Sequence, residues 1–387
     1  MNKKYLLSIF ILSIVISIFF MVTGNKPSQL SGSNITFLVD QNHIEENNYE
    51  KAIGRMDFVF PSDHGSHPEY MTEWWYYTGN LLTDEGRHFG YQLTFFRRAI
   101  SDQFVDSSAS NWTSNQIYLA HFAVTDTANN QHYVFDQISR GSAGLAGTSV
   151  DPLFSIWLKD WEIVQLSDNV FQMNAGSDNI EINLILTDTK DIIFHGNDGL
   201  SQKGSQIGNA SYYFSQSRME TTGTIRISDE EFDVNGISWM DHEFGTSTLG
   251  SDQIGWDWFS IQLDNNTEIM LFQIRQEDGS ISDFSSGTII FKNSNTENLD
   301  ANDFEIEVLD TWQTSDQITY PNQWNINIEQ INLQMEITPV INDQEMKLFF
   351  RYWEGAVRVN GTLNGEDISG YGYVELTGYA QSMQGVF

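Results

Sequence analysis

Past Phe58 the chain is a series of short runs of β-branched and aromatic residues, each broken by a cluster of Asp, Asn, Gly or Ser. Residues 75–82, 89–97, 117–125, 180–187, 256–263, 269–275, 348–359 and 371–379 are such runs, and no stretch of the body keeps a long helical period. Turn signals such as Thr83-Asp84-Glu85-Gly86, Asp264-Asn265-Asn266 and Asn360-Gly361 stand between some of them, as hairpins require. With 29 Gly and only 6 Pro, sheets can bend without losing many ladder donors. The pattern predicts an all-β protein, barrel or sandwich, and 387 residues exceed one ordinary domain, so two are expected.

An internal echo divides the body. Trp75-Tyr76-Tyr77, a turn and Gly90-Tyr91-Gln92-Leu93-Thr94-Phe95-Phe96-Arg97 form one aromatic hairpin. Trp256-Asp257-Trp258-Phe259, a turn and Ile269-Met270-Leu271-Phe272-Gln273-Ile274-Arg275 form another. Each opens on a tryptophan and closes with an arginine after an apolar strand, as two related β domains would. The second domain is expected to start between Thr224 and Ser238, which gives domains over 52–235 and 236–387. Run 117–125 is apolar on both faces, with Tyr118, Ala120, Phe122 and Val124 on one and Ile117, Leu119, His121 and Ala123 on the other. Such a strand suits a barrel wall covered by a second barrel or a helix.

Charge and cysteine usage exclude several classes. The net charge of −33, from 52 acidic and 19 basic residues, repels phosphate backbones, so no nucleic-acid partner is expected. Without cysteine there is no disulfide framework, no thiolate zinc site and no cysteine nucleophile. At the N-terminus, Lys3 and Lys4 precede an apolar run over 5–22 broken only by Ser8, Ser13 and Ser17. That is the plan of a secretory signal over 1–24 or of an uncleaved membrane anchor. Either places the body outside the cytoplasm, periplasmic or extracellular, because the lysines stay inside. Residues 25–51, rich in Ser, Asn and Glu, read as a solvated linker.

Three clusters are candidates for chemistry. Trp239-Met240-Asp241-His242-Glu243-Phe244-Gly245 sets three ionisable residues between aromatics, whose burial would raise carboxyl pKa values. The alternative is a domain-linking turn whose carboxylates cap backbone N–H groups. Asp63-His64-Gly65-Ser66-His67-Pro68-Glu69 has an H-x-x-H spacing but no firm third ligand, so a solvated loop is expected there and no metal site. Glu354 with Arg358, and Tyr373 with Glu375, Thr377 and Tyr379, share strand faces near the C-terminus. Inward, they make a polar barrel network; outward, ordinary cross-strand pairs. There is no G-x-S-x-G elbow and no phosphate-binding glycine loop.

Several runs together resemble the AttH-like and carotenoid hydratase (hydroxyneurosporene synthase) family. They are Glu73-Trp74-Trp75-Tyr76-Tyr77-Thr78-Gly79-Asn80-Leu81, residues 89–97, Leu119-Ala120-His121-Phe122-Ala123-Val124-Thr125-Asp126, the 239–245 run, Gly255-Trp256-Asp257-Trp258-Phe259, Tyr352-Trp353-Glu354-Gly355 and residues 372–379. The resemblance covers 58–387 and implies two lipocalin-like (calycin) antiparallel barrels in tandem. Its best-known members add water to a terminal isoprenoid double bond without a redox cofactor, so no cofactor is expected.

Two functions follow as alternatives. One is an exported lipocalin-like protein that binds a lipophilic small molecule, a lipid or isoprenoid, in an apolar barrel. Its ligand contacts are sought at Trp75, Tyr77, His121, Trp239, Trp256, Trp258, Arg275 and Tyr373. The other is a hydratase in which Asp241 or Glu243 protonates the double bond. The faces of Trp239, Trp256 and Trp258 would stabilise the cation by up to about 2 kcal/mol each, and His242 would orient the water. Adjacent strand residues point to opposite faces, so that trio needs a turn or a bulge.

Overall fold

The computed structural model describes residues 48–100, 114–247 and 249–383. The expected signal or anchor and most of the linker lie outside these residues. The end of the linker does not hang free: the Glu50 N–H donates to the Glu69 carbonyl at 2.9 Å, and Ala52 is buried beside Tyr70, Tyr212 and Phe244.

Among the described residues, two antiparallel barrel-like sheets of 13 and 10 strands make up the fold, one nearly closed and one half-open. The main path of the first runs from Gln131–Arg140 through Gln116–Asp126, His88–Ala99, Thr72–Leu82, Glu230–Ser247, Ala210–Ile227 and Ile180–Asp188 to the Ala146–Ser149 edge. That of the second runs from Thr296–Asp300 through Ser286–Ile290, Glu268–Gln276, Gln253–Leu263, Glu366–Leu376, Arg351–Leu363, Leu333–Pro339 and Thr319–Ile328 to Glu305–Gln313. The echo seen in the sequence is real in three dimensions. Thr72–Leu82 and Gln253–Leu263 each open a sheet, pair with the next strand, and pair on their other side with the last strand of the same sheet. Arg97 and Arg275 return to carboxylates of their opening strands, Glu73 at 2.7 Å and Asp257 at 3.0 Å.

The domain boundary needs correcting. Glu230–Ser247 bonds to Thr72–Leu82 on one side and Ala210–Ile227 on the other, so it completes the first sheet. The chain changes sheet after Ser247, not at 235/236. Which distant strand a run pairs with cannot be read from its own periodicity.

Both barrel interiors are filled. Trp75, Tyr77, Phe122, Trp161 and Met240 belong to the first core, and Phe259, Trp324, Trp353 and Val374 to the second. A third cluster, with Tyr76, Tyr213, Trp239, Trp258, Phe272 and Tyr373, lies between the sheets. Run 117–125 behaves as its two apolar faces predict: Phe122 enters the first core while Ala123 packs against Met346 and Phe350 of the second sheet. The sheets approach closely at Gly90, where a Cβ would stand 2.6 Å from that of Ala356, so only glycine fits. A register shift between Gln216 and Met219 releases Ser217 and Arg218 from the ladder. Arg218 and Lys190 both reach Glu268 in the second sheet, and the Gln262 amide donates to the Ser217 and Ser238 carbonyls at 2.8 and 2.9 Å.

Candidate functional site

A cavity opens between the two sheets, against the flank of Glu230–Ser247. That segment is a strand, not a turn, and its pairing with Thr72–Leu82 is unbroken, so its side chains alternate. Asp241 and Glu243 line the cavity, and Trp239, on the same face, packs in the cluster between the sheets. Met240 and His242 point the other way. The register places Tyr76 beside Asp241 and Trp74 beside Glu243 on one neighbouring strand, with Tyr213 beside Glu243 on the other. The second sheet supplies Trp256, Trp258, Phe272 and Glu375.

Asp241 is held by three donors. Its Oδ1 accepts from the Ser215 hydroxyl and from Trp239 Nε1 (2.6 Å), and its Oδ2 from the Tyr213 hydroxyl (2.6 Å). A carboxyl has about four acceptor positions, so a proton added to this one takes the remaining position on Oδ2. Burial pushes the Asp241 pKa up to about 7, against the pull of the three hydrogen bonds and with help from Glu243. The donors are themselves oriented. Trp258 Nε1 donates to the Tyr213 oxygen at 3.1 Å. His195 lies 2.7 Å from Ser215 Oγ through Nε2 and 2.8 Å from Thr288 Oγ1 through Nδ1. Because Ser215 gives its proton to Asp241, His195 must donate from Nε2 and accept at Nδ1, which fixes a neutral tautomer. Burial lowers its pKa to about 3, in keeping with that state.

Two further carboxyl groups line the cavity. Glu243 accepts from Ser211 and pairs with Lys203 at 3.2 Å, whose ammonium lies 3.9 Å from the Phe272 centroid. Glu375 is partly open and accepts from Trp256 Nε1 at 2.7 Å. Burial pushes its pKa up to about 7, with Glu243 and Asp241 adding to the rise and Trp256 opposing it. Directly across from Glu375, Glu354 is fully buried and accepts from the Tyr76 hydroxyl at 2.5 Å; burial, then Glu375, holds its pKa well above the ordinary range.

The other face of the strand carries a sealed network. His242 Nε2 and His67 Nδ1 both donate to Glu73 Oε1, at 2.8 and 2.7 Å, and Arg97 Nε donates to Oε2 at 2.7 Å. His67 also meets Asp63 at 3.4 Å through Nε2. The Asp63–Glu69 stretch is therefore not a solvated loop: His64 and His67 are buried, and the His64 carbonyl accepts from Trp75 Nε1 at 2.8 Å. His67, Glu73 and His242 bring potential metal-ligand atoms within 4.8 Å of one another. Both histidine N–H groups already rest on Glu73, and Arg97 balances its charge, so a cation would have to displace a satisfied arginine pair.

The structure thus sorts the candidates of the sequence reading. Asp241, Glu243, Trp256 and Trp258 line the cavity, and Trp239 positions Asp241. His242 faces away and cannot orient water there. Trp75 and Tyr77 are first-barrel core. His121 lies against Tyr352 of the second sheet at 2.7 Å, and Tyr373 is sealed between the sheets. Arg275 is spent on Asp257 and the Tyr379 ring. The barrel interiors expected to hold a ligand are packed with side chains, and the cavity lies between the sheets. Lys203 and Tyr213 were not among the candidates, and Glu375 stood only in the C-terminal cluster without a site role. Its signal was the strand face it shares with Tyr373; that face points out of its own barrel yet is covered by the other sheet.

Known proteins share this architecture. The model of a family described as AttH-like matches residues 51–379. Kievitone hydratase of Fusarium solani subsp. phaseoli is 23% identical over 227 residues, 54% of this chain and 61% of that protein, so the match spans less than two thirds of that relative. The crystal structure of an AttH protein of Nitrosomonas europaea superposes with a TM-score of 0.75 at 30% identity, covering 85% of this chain and 99% of that one. Kievitone hydratase from Nectria haematococca gives 0.64 at 15% identity over 86% of this chain and 97% of that one, a likeness of fold.

Proposed function

The chain belongs to the AttH-like family, and on that premise we propose that it is a cofactor-independent hydratase that adds water to a carbon–carbon double bond of a lipophilic, isoprenoid-type substrate. The observation that carries this reading is Asp241, a carboxyl with a pKa of about 7 whose one open proton position lies on Oδ2, in a cavity walled by indole rings. Such a group is protonated often enough at neutral pH to give its proton to an alkene, and acidic enough to release it.

The Oδ2–H bond breaks as a C–H bond forms from the π pair, which leaves a carbocation. Trp74, Trp256 and Trp258 line the cavity where that charge develops, and an indole face turned to it stabilises it by roughly 0.5–2 kcal/mol. The Ser215, Tyr213 and Trp239 donors then hold the ionised Asp241 in place. Water adds to the cation, and its surplus proton passes to a base of the cavity. Lipophile binding, the other reading of the sequence, becomes the first step of this reaction. The relative named as a kievitone hydratase supports the reaction type. Lys3, Lys4 and the apolar run over 5–22 support action outside the cytoplasm, with that run as a membrane tether if it stays uncleaved.

The test is incubation of the purified protein with farnesol, a small trisubstituted isoprenoid alkene, in H2¹⁸O. The expected product is an alcohol heavier by one labelled water, absent with Asp241→Asn. A parent protein that binds farnesol and neither hydrates it nor exchanges its vinylic hydrogens would overturn the hydratase reading in favour of a carrier.

A further inference from the structure

We propose that Glu375 is the base that takes the proton of the attacking water, so that acid and base reach the cavity from different sheets. The proposal rests on the hydratase reading and adds a residue to it.

Geometry selects Glu375 among the groups around the cavity. Glu243 is engaged by the Ser211 hydroxyl and the Lys203 ammonium. Lys203 is a cation held by Glu243 and by the Phe272 face. Glu354 is fully buried and bound to the Tyr76 hydroxyl. His242 lies on the opposite face of its strand, bonded to Glu73. Among the described residues, Glu375 alone combines exposure to the cavity with a fixed but incomplete set of partners: Trp256 donates to Oε2, and Oε1 has no hydrogen bond to any described residue. An oxygen held at one side and open at the other is what a water molecule must meet to be both positioned and deprotonated.

The electrostatics agree. Glu375 is surrounded by carboxyl groups, with Glu354 opposite it in the ladder and Asp241 and Glu243 across the cavity, and Lys203 is the cation on that wall. Burial and these neighbours strengthen it as a base. When Asp241 gives up its proton, it adds a further negative charge nearby and raises the basicity of Glu375 as the water attacks.

The steps balance. The Asp241 Oδ2–H bond breaks and a C–H bond forms; a water lone pair forms the C–O bond; a water O–H bond breaks and its proton joins the Glu375 carboxylate. Alkene plus water gives alcohol. The site is left with ionised Asp241 and protonated Glu375, and exchange with solvent restores the starting state. Without the base, the cation returns its proton to Asp241 and re-forms the alkene.

That last step supplies the test. Parent, Glu375→Gln and Glu375→Asp proteins are incubated with farnesol in D2O, and alcohol formation and deuterium in recovered farnesol are measured by mass spectrometry. Alcohol formation falling about 100-fold in Glu375→Gln, with deuterium still entering recovered farnesol and partial recovery in Glu375→Asp, supports the assignment. Alcohol formation within threefold of the parent in Glu375→Gln overturns it and leaves the hydratase reading intact. Loss of both alcohol and deuterium in Glu375→Gln, while farnesol still quenches tryptophan fluorescence, also overturns it, because the residue then acts before or at protonation. A parent protein that gives neither signal overturns the hydratase reading and this assignment with it.

Discussion

Glu230–Ser247 has a buried ionisable cluster on each side, and the two could hardly be more different. Toward the first barrel, His242 joins Glu73, Arg97 and His67, all buried, with the partly exposed Asp63 at the rim, and each carboxylate there meets a cation or an N–H. Toward the second sheet, Asp241, Glu243 and Glu375 share a cavity with one cation among the described residues, Lys203. Burial alone would protonate Glu73, but Arg97, His242 and His67 outweigh it and hold its pKa far below the ordinary range. Burial wins at Asp241 and Glu375, which rise to about 7. The number of buried charges does not separate chemistry from architecture here. What separates them is whether the partners complete the charge and whether space remains beside it.

If this contrast is right, the two sides fail differently. The largest effect is expected from Asp241→Asn, which removes the acid and should lower kcat for farnesol hydration about 10²–10⁴-fold, with the protein still folded by circular dichroism. Next comes Glu73→Ala, which strands the fully buried Arg97 and should cost about 3–5 kcal/mol of stability in urea unfolding. If Glu73→Ala left stability unchanged, the architectural role of that side would be wrong.

Stability against pH should resolve the two sides into separate windows. Asp241 and Glu375 have folded pKa values above their ordinary ones, so their contribution is fully present below about pH 4 and is lost as pH rises through about 7. At His67 burial opposes the charge, but its bonds to Asp63 and Glu73 prevail and raise the pKa to about 9. Its contribution is therefore complete below the ordinary histidine value of 6.5 and is lost as pH rises through 9. Melting temperatures measured from pH 4 to 10 should fall in both windows, and His67→Gln should flatten only the upper one. The smallest effect is assigned to Trp239→Phe, which deletes one donor to Asp241 and should cost about 1 kcal/mol. The alkaline limb of its pH–rate profile should move upward, because the carboxylate has lost a stabilising bond. A downward move would break the link between Trp239 and the acid.

The sequence carried the fold class through its turn-divided aromatic runs, and the tandem arrangement through the Trp75 and Trp256 hairpins. It also carried Asp241 and Glu243 as partners, because residues two apart on a strand share a face. The same rule should have removed His242 from the trio once the segment was read as a plain strand. Trp75 and Trp74 look alike in sequence, yet one is core and the other is cavity wall; only the curvature of the sheet decides which face is inside. Lys203, Tyr213 and Glu375 come from three strands or loops whose meeting depends on long-range pairing and on packing of one sheet against the other. No local pattern marks that contact.

The chain passes from one sheet to the other after Ser247, and among the described residues the first strand of each sheet pairs with the last strand of the same sheet. A gene shuffled between two relatives at that point would keep every ladder intact. It would draw the acid from one parent, and the tryptophans of the facing wall with Glu375 from the other. Substrate range could then be recombined in a single crossover, provided both parents match where Gly90 meets Ala356 and where Lys190 and Arg218 meet Glu268.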